Sequence, residues 1–348
     1  MSEYKILEGK IQSFDKTELN YKYHISDNPK CSIILIHGLG EHGTRHKRLI
    51  NSFQEKSYSF FCFDLRGHGL SDGRKGSVSS FLDFVYDLKV IVNNVKQSFP
   101  KQPVILLGSN IGAAAAIRFS LLFRDEVIGM VLCGPALEIF KDNFSKTSII
   151  AKLFGNQGSS IFTSRYDPKN LSHDGDAVQE YLNDYFNHNK LSEHLISEIS
   201  ENGMVCLERA SEITTPYMIL HGTDDTAYNI ITSFKFFEKT IIEEKDFFKF
   251  DGLNHDILNE IESERLKVYQ QIDAWIQKRL SLNHKFANKL NNETIDKSAT
   301  TKKAVKKTVK KSSQVVKSTS VKKPVEKITT DIKTTVKKDT ASPKKTKK

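Results

Sequence analysis

Three observations predict an α/β fold, a mostly parallel sheet flanked by helices on both faces. Short β-branched and aromatic runs alternate with longer stretches of helical spacing from residue 10 to 280. Several runs, among them Ser32–Ile36, Val104–Leu107 and Ile128–Cys133, are apolar enough to read as core strands. Glycine-rich turns follow three of the strands, at His37–His42, Asp64–Gly73 and Gly108–Gly112.

Taken in order, Ile11–Phe14 and Leu19–Ile25 read as an opening antiparallel pair. Further strands are expected at Ser32–Ile36, Ser59–Asp64, Val104–Leu107, Ile128–Cys133, Tyr217–Leu220 and Phe247–Phe250. Helices are expected near 44–56, 79–99, 111–123, 227–240 and 256–280. Residues 136–200 break the rhythm: no strand stands out, and Ile139, Phe140, Phe144, Ile149, Ile150, Leu153, Phe154, Ile161 and Phe162 recur at near-helical spacing. The segment reads as a helical cap insertion, with two roles open to it, lining an acyl pocket or adding core helices without a ligand role.

The 348 residues are 38% hydrophobic, enough for a well-buried core, but charge is unevenly spread. From Thr301 to Lys348, 17 lysines against three acids (Glu326, Asp331, Asp339) give +14, and since the whole chain is +10, residues 1–300 carry −4. From about Asn292 aromatics vanish and Lys, Thr, Ser and Val dominate, a composition that cannot offset chain entropy by burial. The organisation expected is a folded domain over 1–285, with its cap, and a disordered lysine-rich tail over 286–348.

That tail repeats VKK from Val305, Val309, Val321 and Val336 and carries one SPKK at Ser342–Lys345. Its charge suits nucleic acid or an anionic membrane or granule surface, without sequence preference because no aromatic stacks on bases; a solubilising role is the alternative. The four cysteines Cys31, Cys62, Cys133 and Cys206 show no CxxC spacing and read as buried thiols, so no metal is expected. The N-terminus has no apolar signal core and no run is long enough to span a bilayer, so a cytoplasmic location is expected.

The chemistry concentrates after the strand Val104–Leu107. Gly108-Ser-Asn-Ile-Gly112 leads into the Ala-rich stretch Ala113–Phe119, the strand–turn–helix context of a nucleophile elbow. Small residues two places either side of the apex permit the sharp turn. With Asn110 at the apex these are Gly108 and Gly112, whereas Ser109 would place Leu107 and Ile111 there, so the Asn110 register is preferred. The loop His37-Gly-Leu-Gly-Glu-His42 supplies flexible backbone that aims the Leu39 amide at a developing oxyanion, beside the Ile111 amide at the head of the helix.

Together with Asp64-Leu-Arg-Gly-His-Gly-Leu-Ser-Asp-Gly73, His221-Gly-Thr-Asp-Asp225 and Asp251-Gly-Leu-Asn-His255, these blocks resemble the monoacylglycerol lipase and lysophospholipase family, also described as serine aminopeptidase-like hydrolases. The resemblance covers roughly residues 8–282 and implies the α/β-hydrolase fold, with apex, acid and base in the chain order 110, 225, 255. It implies His255 as general base, Asp225 as its orienting acid with Asp224 a weaker candidate, and Leu39 with Ile111 as oxyanion-hole amides. No cofactor is implied, and the ligand class is a small acyl ester or lipid.

One departure from the family pattern changes the chemistry. Its elbow reads G-H-S-M-G-G, and here Ser109 replaces the histidine, Asn110 the serine and Ala113 the last glycine. A carboxamide is a poor nucleophile, so acyl-enzyme formation is unavailable at Asn110. Deamidation to a nucleophilic aspartate is a further route, but the bulk of Ile111 makes rapid spontaneous deamidation unexpected. Two readings follow: an ester hydrolase of impaired activity, or an inactive pseudo-hydrolase that binds ligand and is tethered to polyanions by its tail. His24, His173, His188, His194 and His284 read as structural, and His37 and His68 as holding loop backbone.

Overall fold

A computed structural model describes residues 4–138, 161–164 and 166–285. Its centre is an eight-stranded sheet. In chain order its strands are β1 (Lys5–Gln12), β2 (Glu18–Ile25), β3 (Cys31–Ile36), β4 (Tyr58–Phe63), β5 (Val104–Ser109), β6 (Gly129–Cys133), β9 (Tyr217–Gly222) and β10 (Lys245–Phe250). Across the sheet the order is β1-β2-β4-β3-β5-β6-β9-β10. β1 pairs with β2 and β2 with β4 antiparallel, and every later pairing is parallel.

β3, β4, β5, β6 and β9 are buried at every position. Alternation of side chains sorts them onto two cores. Ile34, Ile36 and Leu106 face α2 (Phe81–Ser98) and α3 (Ile111–Leu122), while Ile33, Leu35, Ile105 and Leu107 face α1 (Lys47–Ser52) and the helical residues 262–285. A parallel strand covered on both faces needs an uninterrupted apolar run, which is why these strands were readable in the sequence. α2 begins at a capping box in which Ser80 and Asp83 satisfy each other's end of the helix.

The structure corrects the sequence reading at two places. β1 begins at Lys5 and ends at Gln12, not over Ile11–Phe14; at the sheet's edge and largely exposed, it presents no apolar run to find. Within 136–200, two short strands, β7 (Ile161–Thr163) and β8 (Lys190–Ser192), pair antiparallel, and helices Gly175–Asn183 (α4) and Glu193–Glu208 (α5) accompany them. The segment therefore contains strand as well as helix, and Ile161 and Phe162, read at helical spacing, lie in β7, where they pair with Ser192 and Leu191 of β8. Ile139, Phe140, Phe144, Ile149, Ile150, Leu153 and Phe154 lie outside the described residues, as does the lysine-rich segment 301–348. No helix among the described residues is long and apolar enough to cross a membrane.

Candidate functional site

The turn between β5 and α3 puts Asn110 at its apex, with φ 57° and ψ −119°, a conformation an L-residue adopts only under strain. The flanking glycines show why the turn needs them. A Cβ on Gly112 would stand 2.3 Å from the Ile36 carbonyl oxygen, and one on Gly108 would stand 2.6 Å from the Ala113 nitrogen. Backbone bonds lock the apex: the Asn110 N–H donates to the Cys133 carbonyl at 3.0 Å, and its carbonyl accepts from Ala114 and Ala136, both at 3.1 Å.

The Asn110 side chain spans two partners. Its Oδ1 accepts from the Ile111 N–H at 2.6 Å, and its Nδ2 lies 3.0 Å from His255 Nε2. Because a backbone N–H can only donate, the oxygen must face Ile111 and the NH2 must face His255. His255 Nε2 is then an acceptor, and the ring's one proton sits on Nδ1, donated to Asp225 Oδ2 at 2.7 Å.

Asp225, at the end of the turn after β9, is held from several sides. Its Oδ1 accepts from the Ala227 N–H at 2.7 Å and the Tyr228 N–H at 3.0 Å, and His221 Nε2 lies 3.1 Å from its Oδ2. Burial pushes this carboxyl upward, but the His255 charge and the bonds from His221 and His255 outweigh it and hold its pKa well below the ordinary value. His255 shifts the other way: burial pulls it down, yet the Asp225 charge and hydrogen bond, with Asp256 and Glu41 behind them, leave it raised above 6.5. Asp224, the weaker candidate, is exposed, and the Thr223 hydroxyl donates to it at 3.0 Å.

These groups open into a cavity of roughly 770 Å³, its mouth included, lined among others by Leu39, Asn110, Tyr166, Leu171, Leu191 and Tyr228. Glu41 also reaches its wall, accepting from the Gly38 N–H at 3.0 Å. Behind it Arg45 lies 3.6 Å from Glu41 and 2.9 Å from Asp256, so the wall's charges are paired below the surface. Among the described residues no cluster of metal-ligating side chains occurs.

The structure thus puts Leu39, Asn110 and His255 on the wall of one cavity, with Ile111 bonded to Asn110 and Asp225 to His255, and leaves Asp224 outside it. Sequence reasoning missed His221 and Tyr228. His221 opens the same block as Asp225, four residues earlier, and that spacing was the available signal. His188, read as structural, both lines the cavity and stands 3.2 Å from the Gly67 carbonyl through Nε2. His37 and His68 do hold loop backbone: His37 Nε2 accepts from the Leu65 N–H at 2.9 Å, and His68 Nδ1 lies 3.0 Å from the Arg66 carbonyl. The four cysteines are buried and free.

Residues 27–262 match the family model described as serine aminopeptidase, S33. The chain is similar to a monoacylglycerol lipase of Mycolicibacterium smegmatis, 26% identical over 254 residues covering 73% of this chain and 90% of that one. It is also 28% identical to a rat (Rattus norvegicus) monoglyceride lipase over 264 residues, covering 74% of this chain and 86% of that one. Among solved structures, the monoacylglycerol lipase of Paleococcus ferrophilus superposes with a TM-score of 0.65 at 25% identity, covering 79% of this chain and 99% of that one. A soluble variant of the Saccharomyces cerevisiae monoglyceride lipase, in complex with a substrate analog, superposes at 0.69 with 20% identity, over 80% of this chain and 96% of that one.

Proposed function

Since the chain belongs to the serine aminopeptidase S33 family of α/β-hydrolases, we propose that its cavity takes a neutral acyl ester of the monoacylglycerol class and that the acyl-enzyme route is closed at Asn110. The observation that carries this reading is the span of the Asn110 carboxamide from the Ile111 amide to His255 Nε2. In a serine hydrolase the first of these partners steadies the oxyanion and the second takes the nucleophile's proton. Here both are engaged by a side chain with no nucleophile to offer.

In this reading His255 is the general base, Asp225 orients it, and the Leu39 and Ile111 amides form the oxyanion hole. Lining by Leu39, Leu171, Leu191 and three tyrosines, Tyr166, Tyr181 and Tyr228, suits an acyl chain. The relatives named as monoacylglycerol or monoglyceride lipases support the ester class. A second reading, slow hydrolysis by direct attack of water, is favoured by the Asp225–His255 pair at 2.7 Å. Enzymes stripped of their nucleophile keep about 10³ to 10⁴ over water. The lysine-rich segment 301–348, with its +14 charge, would hold this domain to polyanions inside the cytoplasm.

The test is labelling with a fluorophosphonate ester probe and turnover of a monoacylglycerol. Wild type should form no covalent adduct at residues 109 or 110, and Asn110→Ser should label and hydrolyse. An adduct on wild-type Ser109 would overturn the reading. So would an Asn110→Ser protein that folds but neither labels nor binds the ester.

A further inference from the structure

We infer that Asn110 is a self-modification site: the groups around it hydrolyse its own carboxamide to a carboxylate and release ammonia. The inference uses the geometry of the site and does not depend on which ester the cavity takes.

The elbow backbone places the amide. At ψ −119° the Cα–Cβ bond comes close to eclipsing the C–N bond to Ile111, so the side chain lies along the Ile111 amide and Oδ1 reaches its N–H at 2.6 Å. The carboxamide then sits as an acyl substrate does in a hydrolase. Its carbonyl oxygen rests on an oxyanion donor, and its leaving nitrogen stands 3.0 Å from an imidazole. That imidazole is backed by Asp225 at 2.7 Å and is held above its ordinary pKa, so it can take up a proton and return it. Asn110, though buried, lines the cavity, which is open to solvent, so water can enter beside it.

The step balances without a cofactor. The water oxygen bonds to Cγ while its proton passes to His255 Nε2, and the C=O π pair moves onto Oδ1, held by the Ile111 N–H. When that pair returns, the Cγ–Nδ2 bond breaks and His255 hands the proton to Nδ2. Ammonia leaves, and the new carboxylic acid loses its proton to solvent. The same eclipsed bond brings the Ile111 nitrogen toward Cγ, so ring closure, the common route for asparagine, is the competing path, and what opposes it is the hold on that nitrogen. That nitrogen's hydrogen is already donated to Oδ1, and Ile111 is the first residue of α3.

The test follows the mass of the full chain, and so can fail while the acyl-ester reading stands. Purified protein is kept at neutral pH and physiological temperature in water enriched in heavy oxygen, and the peptide carrying residue 110 is sequenced by mass spectrometry. We expect the mass change of an NH2-to-OH exchange at residue 110, with heavy oxygen incorporated and no isoaspartate. The folded chain should react at least about tenfold faster than the same chain in urea. His255→Ala and Asp225→Asn, each checked for a cooperative melt, should slow it to the rate in urea. An unchanged mass overturns the inference. So does a product containing isoaspartate, which marks ring closure, or a rate unaffected in both variants.

Discussion

Asn110 Nδ2 stands 3.0 Å from His255 Nε2, so the imidazole accepts a hydrogen bond at the atom where a base receives its proton. The bond favours the neutral ring, while Asp225, with Asp256 and Glu41 behind it, favours the charged one. Asn110→Ala removes the first influence and keeps the second. The His255 pKa should rise further, read from the ring resonances in an NMR titration of both proteins; an unchanged or lower value would show that the bond has no hold on the ring. Because the folded value lies above the unfolded one, the stabilisation from this group is full below the unfolded pKa. It is lost as pH rises through the folded value.

Restoring a hydroxyl should restore chemistry only through that same ring. Asn110→Ser should raise hydrolysis of short p-nitrophenyl esters by several orders of magnitude, and Asn110→Ser with His255→Ala should not. The comparison is made on initial rates of the two proteins at equal folded concentration. Equal rates would mean that the imidazole has no part in turnover.

Arg66 grips the fully buried carboxylate of Asp87 through Nε at 2.7 Å and a terminal nitrogen at 2.6 Å, and reaches Asp15 at 2.8 Å. Arg66→Ala strands Asp87 in the core between α2 and the Asp64–Gly73 loop. Chemical denaturation should show a loss of about 3 to 5 kcal/mol. Arg66→Ala with Asp87→Leu should recover part of it, because the stranded charge is then gone.

Several buried or half-buried histidines are held in their neutral form. Burial, the first cause in each case, lowers His37 to about 3, His24 and His188 to about 4, and His68 well below its ordinary value. These folded values lie below the unfolded one, so between them the unfolded chain binds more protons and stability rises with pH. Acidification from about 6.5 toward 4 should therefore lower the melting temperature steadily. His188→Gln should flatten that slope; an unchanged slope would show that His188 does not titrate with unfolding.

Deleting residues 301–348 should abolish binding to DNA and to anionic vesicles and leave the melting temperature of the domain nearly unchanged. The domain that remains carries −4 over residues 1–300, while the deleted segment carries +14. Binding by the whole chain should weaken steeply as salt rises, measured by titration at several ionic strengths. Tight binding by the truncated chain would place the polyanion site elsewhere.

The parallel strands β3, β5, β6 and β9 were legible because burial on both faces leaves an apolar run, and the Asn110 apex because two glycines frame it. β1 was not, since an exposed edge strand carries no such run, and β7 and β8 are three residues each, too short to show a period. The sequence pointed to Leu39, Asn110, Ile111, Asp225 and His255, which the structure brings near one another, but not to His221 or Tyr228, and the carboxamide's engagement of Ile111 could not be read. It depends on a backbone angle that the residue names do not encode. His221's contact with Asp225 depends likewise on how the turn after β9 folds back.

The segment leading into and along β8 rests on the body at two glycines in left-handed backbone. A Cβ on Gly40 would stand 2.1 Å from the His188 carbonyl oxygen, and one on Gly76 2.4 Å from that of Lys190. Backbone bonds rivet the same places, His188 N–H to the Gly40 carbonyl at 2.8 Å and Ser192 N–H to the Gly76 carbonyl at 2.7 Å. Gly40 follows Leu39 directly, so one rim of the cavity and the loop bearing the Leu39 amide are bolted together main chain to main chain. Side-chain variation along β8 can reshape the entrance without moving the bolts, which separates what the cavity admits from where its loop amide is held.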